Sequence, residues 1–149
     1  MSKSIAKRKK TKAEEAANLE QDDLQNIIDQ MISEEYIIKI TGENDLSKIE
    51  RLKLVVDTSV QSVFGLNEIL PNLMYLTLDR SMISSVRDLG SGLRHIVSLS
   101  LAHCGLCDLD GIGVLTGLQE INLSDNNITD VAPLAMHESL QVCESYICS

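Results

Sequence analysis

Residues 118–139 read LQEINLSDNNITDVAPLAMHES, and the spacing of apolar side chains in this stretch decides the fold. Seven positions follow the pattern LxxLxLxxNxIxxIxxL, namely Leu118, Ile121, Leu123, Asn126, Ile128, Val131 and Leu134. Ile121 and Leu123 are separated by one residue, which is the two-residue period of a short strand with inward apolar side chains. The last three recur every three positions, which is typical of a helical or three-ten turn.

The same seven positions recur three times earlier in the chain. They are Ile96, Leu99, Leu101, Cys104, Leu106, Leu109 and Ile112; then Leu73, Leu76, Leu78, Ser81, Ile83, Val86 and Leu89. A further unit has Ile49, Leu52, Leu54, Asp57, Val60, Val63 and Leu66, with one extra residue in its turn. A repeat at a period of about 22 residues is the signature of a leucine-rich repeat array.

This pattern predicts an α/β protein, a right-handed leucine-rich repeat solenoid. Four short parallel strands are expected near 52–54, 76–78, 99–101 and 121–123, on the concave face. Helical or three-ten turns are expected on the convex face. Because one repeat cannot bury its apolar side alone, the core forms between stacked neighbours.

The segments flanking the repeats have different compositions. Residues 1–12 (MSKSIAKRKKTK) are predicted to be a disordered basic arm, and residues 13–48 a helical N-terminal segment and cap. Within the cap, Ser33 and Gly42 are the expected ends of a short helix at 34–41, although its β-branched residues leave a strand open. Four repeats follow at 49–72, 73–95, 96–117 and 118–139, and 140–149 form an incomplete fifth. We therefore expect a shortened product of a longer repeat protein.

Charge is distributed unevenly along the chain. Residues 1–12 carry six of the thirteen basic residues and no acidic one, which leaves seven basic against 22 acidic residues in 13–149. A body this acidic repels nucleic-acid phosphate, so no nucleic acid is expected as a partner. No apolar run is long enough to span a membrane, and no secretory signal is recognisable. The sequence predicts a soluble, cytoplasmic monomer with an exposed C-terminal repeat edge and reduced cysteines.

The stretch LAHCGLCDLD at 101–110 raises the question of a metal site, because a His and two Cys lie close together in sequence. Cys104, however, occupies the turn position that Asn126 holds in the next repeat, and Cys107 matches Ser84 and Thr129. Cys104 is therefore predicted to point into its repeat, and neither a metal nor a cofactor is expected.

Outward positions of the four strands and the turns after them line one face of the sheet, called the sheet face, which is expected to be concave. Its predicted protein-binding residues are Arg51, Lys53, Tyr75, Thr77, Asp79, Arg80, His103 and Asp125. Adjacent strands lie about 4.8 Å apart, so Arg51 should lie beside Tyr75. Val56, Arg80, His103 and Asp125 should form one outward column, in which the last three stand in a row. Because no nucleophile or enclosed pocket accompanies this row, no catalytic residue is assigned and the protein is not expected to be an enzyme.

Several strings outside the generic repeat pattern carry a closer resemblance. The repeat lengths are similar to those of the protein-phosphatase regulatory subunit type. VVDT, VRDLG and LAHCGLCDLDGI resemble the leucine-rich-repeat-containing protein fifty-six family, over about 33–142. That resemblance implies a link to assembly of ciliary outer dynein arms and to intraflagellar transport.

Two functional classes follow. The first is a non-enzymatic adaptor or assembly factor that binds intraflagellar transport or dynein-arm components, placed by the resemblance in a cilium or flagellum. The alternative is a regulatory subunit that binds a protein phosphatase catalytic chain through the same face. A third, a nuclear chromatin-associated protein, rests only on the basic arm.

Overall fold

The computed structural model describes residues 32–144, with side chains described as far as residue 141. The basic arm predicted at 1–12 lies outside the described residues. So does the part of the predicted helical N-terminal segment at 13–31. So do Ser145 and the residues after it.

Helix α1 spans Glu34–Thr41 and opens the described part of the chain. The Ser33 hydroxyl accepts a hydrogen bond from the Tyr36 N–H, and Glu34 and Glu35 place negative charge at the helix N-terminus. Gly42 ends the helix in a left-handed conformation (φ 73°) that glycine adopts without strain. The predicted helix at 34–41 is confirmed and the alternative strand is wrong. A three-ten turn, Leu46–Lys48, then leads into the first strand.

The strands form one parallel sheet in sequence order. β1 (Arg51–Lys53), β2 (Tyr75–Thr77), β3 (Ser98–Ser100) and β4 (Glu120–Asn122) pair so that Leu52, Leu76, Leu99 and Ile121 lie in register. Each strand is one residue earlier than predicted. The second inward leucine still continues the ladder, since the Leu78 N–H donates to the Ser100 carbonyl. The sequence predicted four strands, and the structure adds β5 (Val142–Glu144), with Cys143 opposite Ile121.

The opposite wall carries a short helical element after each of the first four strands. These are α2 (Leu66–Ile69), three-ten turns at Val86–Leu89 and Ile112–Val114, and α3 (Ala132–Ala135). The Ser85 hydroxyl caps the Val86–Leu89 turn and also donates to an Asp108 oxygen at 2.7 Å. This hydrogen bond lowers the pKa of the Asp108 carboxyl. One polar side chain thus joins two successive repeats on this wall.

The core lies between the sheet and this wall and is almost entirely aliphatic. The inward residues in and directly after β2 and β3 are fully buried. These are Leu76, Leu78, Leu99 and Leu101, each at most 1% exposed. Each repeat contributes its leucines to a layer that the next repeat covers, so the buried residues form one continuous cluster.

The first repeat departs from the predicted pattern. Val60 is 55% exposed, although the pattern assigned it to the core, and Val56, predicted to face outward, is buried. The Ser81 hydroxyl accepts a hydrogen bond from the Val56 N–H, and Asp57 pairs with Met82. The turn after β1 is therefore one residue shorter than its neighbours, which brings Val56 inward. Val131, another predicted core position, is 36% exposed at the start of α3.

Within residues 32–144, none of the helices has the length and apolar character needed to cross a membrane.

Candidate functional site

The predicted binding residues within the strands of the sheet face lie on β1 and β2. Arg51 and Lys53 are exposed on either side of buried Leu52, and Tyr75 and Thr77 are half-buried on either side of buried Leu76. This alternation places all four on the outward side, as predicted.

Arg51 and Tyr75 make a cation–π contact between β1 and β2. They are opposite one another in the strand register, and the Arg51 guanidinium carbon lies 4.0 Å from the centre of the Tyr75 ring. Stacking on the ring covers one face of the guanidinium and leaves its N–H groups directed along the ring plane. Arg51 is therefore held in place with its donors available.

The predicted row of Arg80, His103 and Asp125 is present at the carboxyl ends of the strands. All three have left-handed backbones, with φ of 63°, 55° and 55°. The Arg80 N–H donates to the Ala102 carbonyl and the His103 N–H to the Ser124 carbonyl, in the following repeat. These repeat-to-repeat hydrogen bonds hold the strained conformation, which costs on the order of 1–3 kcal/mol per residue. Val56, predicted as the first member of the row, is buried instead.

Two of the acidic residues on the sheet face already have partners within it. Asp125 Oδ2 lies 3.1 Å from His103 Nε2, and both side chains are about half exposed. Asp79 Oδ1 accepts hydrogen bonds from the Ser100 hydroxyl at 2.5 Å and from the Ala102 N–H at 3.0 Å. Asp79 and Asp125 are thus turned toward β3 and the turn after it.

An open groove of about 420 Å³ runs beside this row. Arg80 and His103 line it together with Asp57, Thr58, Ser59, Ser81, Met82, Ile83, Ser84, Cys104 and Gly105. The Ser59 hydroxyl donates to Asp57 and lowers the pKa of that carboxyl. The repeat spacing did not predict Thr58, Ser59 or Met82 as site residues, because the shortened turn of the first repeat brings Thr58 and Ser59 beside Met82 in the groove. The bridge between Asp57 and Met82, 25 residues apart, forms only in the folded chain, so the repeat spacing alone does not reveal these residues.

Cys104 and His103 both line the groove, but their geometry does not activate a thiol. Cys104 is 4% exposed, and its Sγ donates to the Leu78 carbonyl at 3.1 Å. Burial raises the pKa of the Cys104 thiol, whereas a nucleophilic cysteine needs a lowered pKa. The predicted inward orientation of Cys104 is confirmed.

Cys107 is exposed, and its Sγ contacts the Gly105 carbonyl at 3.4 Å. It does not converge with Cys104. In the part of the chain that the structure describes, no three His, Cys, Asp or Glu side chains are close enough together to hold a metal ion.

A parallel sheet of short strands at a period of 22–24 residues, the first four each followed by a turn and a short helical element, defines a leucine-rich repeat protein. Proteins of this class are interaction modules that use extended surfaces such as the sheet face. No protein-family model matches the chain.

Comparison with curated proteins gives a narrower assignment. The chain is 39% identical to mouse leucine-rich repeat-containing protein 56 over 117 residues, which are 78% of this chain and 21% of the relative. It is 38% identical to the human protein of that name over 120 residues, 80% of this chain and 22% of the relative. A Trypanosoma brucei homologue is 26% identical over 116 residues, 76% of this chain and 15% of the relative.

Over its repeat region the chain belongs to the family of leucine-rich repeat-containing protein 56. The resemblance based on VVDT, VRDLG and LAHCGLCDLDGI is confirmed. The chain spans about a fifth of the length of these relatives.

Proposed function

We propose that this protein is a non-enzymatic adaptor or assembly factor that binds a protein partner through its sheet face, in the assembly or transport of ciliary outer dynein arms. Its repeats wind as a right-handed solenoid, and its place of action is the cytoplasm and the cilium or flagellum. Its partners are dynein-arm or intraflagellar transport components. Membership of the leucine-rich repeat-containing protein 56 family supports this assignment.

The observation that supports a binding site on the sheet face is the combination of Tyr75, Arg51 and Arg80 on adjacent strands and turns. Aromatic and arginine side chains supply most of the binding energy at protein interfaces. Ser98 and Ser100 on β3 are small neighbours that leave room for a partner to reach these anchors. The ordered Arg51–Tyr75 stack reduces the side-chain entropy lost on binding.

The test is co-precipitation from ciliated cells, with tagged wild-type protein compared with Tyr75→Ala and Arg80→Ala variants. Each substitution should weaken partner binding by more than about 1 kcal/mol, which is roughly a fivefold loss of affinity. Alanine keeps the Cβ of Arg80, so the left-handed backbone strain is unchanged and the fold is preserved. Mass spectrometry of the recovered proteins identifies the partner.

The matched control is Arg87→Ala, an exposed arginine on the opposite wall that pairs with Asp110. It should leave recovery of the partner unchanged. Equal recovery with Tyr75→Ala and Arg80→Ala would move the binding site off the sheet face. Recovery of a phosphatase catalytic chain in place of dynein-arm or transport components would support the alternative, a phosphatase regulatory subunit.

A further inference from the structure

The cations of the repeat region are concentrated on one part of the sheet face. Residues 32–144 contain seven basic against sixteen acidic residues. Three of the seven, Arg51, Lys53 and Arg80, lie on β1 and in the turn after β2, although the sequence around them is strongly acidic. Because this part of the surface is basic within an acidic chain, its charge indicates the chemistry of a partner that would bind there.

These three cations are available to a ligand. Among the described residues, the ion pairs use Lys48, Arg87 and His103, and none involves the three cations of the sheet face. Arg51, Lys53 and Arg80 are exposed, and Arg51 is fixed by its stack on Tyr75. A fixed guanidinium with open N–H groups binds a carboxylate through two parallel hydrogen bonds.

Two acidic residues of the sheet face lie far from β1. Glu120 and Asp125 belong to β4 and the turn after it, three strand spacings or roughly 14 Å from β1. Asp79 lies nearer, but its carboxylate is held by Ser100 and Ala102 on the β3 side. On β1, β2 and the turns after them the three cations outnumber Asp57 and Asp79, whereas β4 and the turn after it carry Glu120 and Asp125 without a cation.

From this arrangement we infer that the sheet face binds an acidic segment of a protein partner, whose carboxylates contact Arg51, Lys53 and Arg80. The inference rests on the proposed function and names the chemistry of the partner. A nucleic acid fits poorly, because its phosphates would extend beyond the cluster over an acidic surface. A short run of glutamate or aspartate matches the sign of the cluster.

The test uses a fluorescein-labelled peptide, (Glu-Gly-Ser) repeated four times, and the full-length protein, with binding followed by fluorescence anisotropy. The control peptide has glutamine in place of glutamate. The glutamate peptide should bind saturably, and more weakly as salt rises to about 0.15 M, where charges are screened over roughly 8 Å. The glutamine peptide should not bind.

Two matched variants locate the site. Arg51→Glu combined with Lys53→Glu should weaken binding of the glutamate peptide at least tenfold. Arg94→Glu combined with Lys39→Glu makes the same change in net charge at exposed positions outside the strands and should change affinity less than twofold. Equal weakening by both pairs would mean that net charge alone governs binding, and would overturn the inference. Circular dichroism and melting temperature establish that both pairs fold.

A third variant separates the basic residues of 1–12 from the sheet face. Replacing those six lysines and arginines by glutamine should leave the tenfold effect of the double substitution in place. Loss of all binding in this variant, with no effect of the sheet-face substitutions, would place the acidic ligand on residues 1–12 and overturn the inference. If the peptide fails to bind while Tyr75→Ala still loses the cellular partner, the proposed function survives and only its acidic partner is wrong.

Discussion

The side-chain amide of Asn126 makes hydrogen bonds to backbone groups in two successive repeats. Its Oδ1 accepts hydrogen bonds from the N–H groups of Cys104 and Leu106, each at 3.0 Å. Its Nδ2 donates to the Leu101 and Leu123 carbonyls. Asn126 is 8% exposed, so these groups would otherwise be buried without partners.

The first prediction concerns this residue. Asn126→Ala should lower the free energy of unfolding by about 2–3 kcal/mol, because it leaves buried backbone groups without hydrogen-bond partners. Asn127→Ala is the matched control, since its side chain is exposed and its backbone N–H still donates to Leu106; it should cost under about 0.5 kcal/mol. Urea denaturation of both variants measures the difference, and equal costs would contradict the role given to the Asn126 amide.

The two cysteines whose side chains the structure describes should differ in reactivity. Cys104 is buried and burial raises the pKa of its thiol, so an alkylating reagent finds little thiolate there. Cys107 is exposed and should react much faster while the protein is folded. Mass spectrometry of time-resolved iodoacetamide labelling distinguishes the two sites. Rapid labelling of Cys104 in the folded protein would show that its repeat opens or that the thiol faces outward.

At the scale of single elements, the turns on the back wall depend on close backbone packing. Gly111 precedes the Ile112–Val114 three-ten turn with φ of 91°, and an added Cβ would lie 3.0 Å from Arg87 Cα. Gly113, inside the same turn, has open space where its Cβ would be. The two glycines therefore have different reasons to be present.

Gly111→Ala should cost roughly 1–3 kcal/mol of unfolding free energy, from left-handed strain together with the contact against Arg87. Gly113→Ala should be neutral or stabilise by up to about 1 kcal/mol, because alanine restricts the unfolded chain more than glycine does. Thermal unfolding of the pair provides the comparison. A loss of stability in Gly113→Ala as large as that in Gly111→Ala would argue against the described turn.

Elements whose signals are local could be predicted from the sequence, as α1 shows. Ser33 and Gly42 are caps whose effect depends on a few neighbouring residues, so both ends of that helix were found. Val56 was placed outward because its inward position depends on the Ser81 hydroxyl, 25 residues away. A shortened turn of this kind depends on contacts with the neighbouring repeat. The pattern of residues along a single repeat does not contain that information.

In the candidate site, too, some features follow from the sequence and others depend on contacts between repeats. Because matching repeats align in the sheet, sequence spacing placed Arg51 opposite Tyr75 and His103 beside Asp125. The stack of Arg51 on Tyr75 and the attachment of Asp79 to Ser100 depend on side-chain conformations, which the repeat pattern does not specify. The groove residues followed from the shortened turn and were missed for that reason.

At the scale of the whole molecule, one aliphatic core joins all the repeats. Leu101 is fully buried in it, and Leu101→Ala should lower the free energy of unfolding by about 2–5 kcal/mol through lost burial and the cavity left behind. Ser98→Ala, on the outward side of β3, should cost under about 0.5 kcal/mol. Ser98 is a better control than Ser100, whose hydroxyl is bonded to Asp79. Equal melting temperatures for Leu101→Ala and Ser98→Ala would contradict the assigned inward side.

The order of the strands in the sheet is also their order in the chain, so each strand bonds only to its immediate predecessor and successor. During synthesis, a repeat leaving the ribosome therefore meets a docking surface that is already complete. It does not wait for a distant segment, since all its partners lie within about one repeat of it. Folding can then keep pace with translation, beginning at α1 and β1 and adding one repeat at a time.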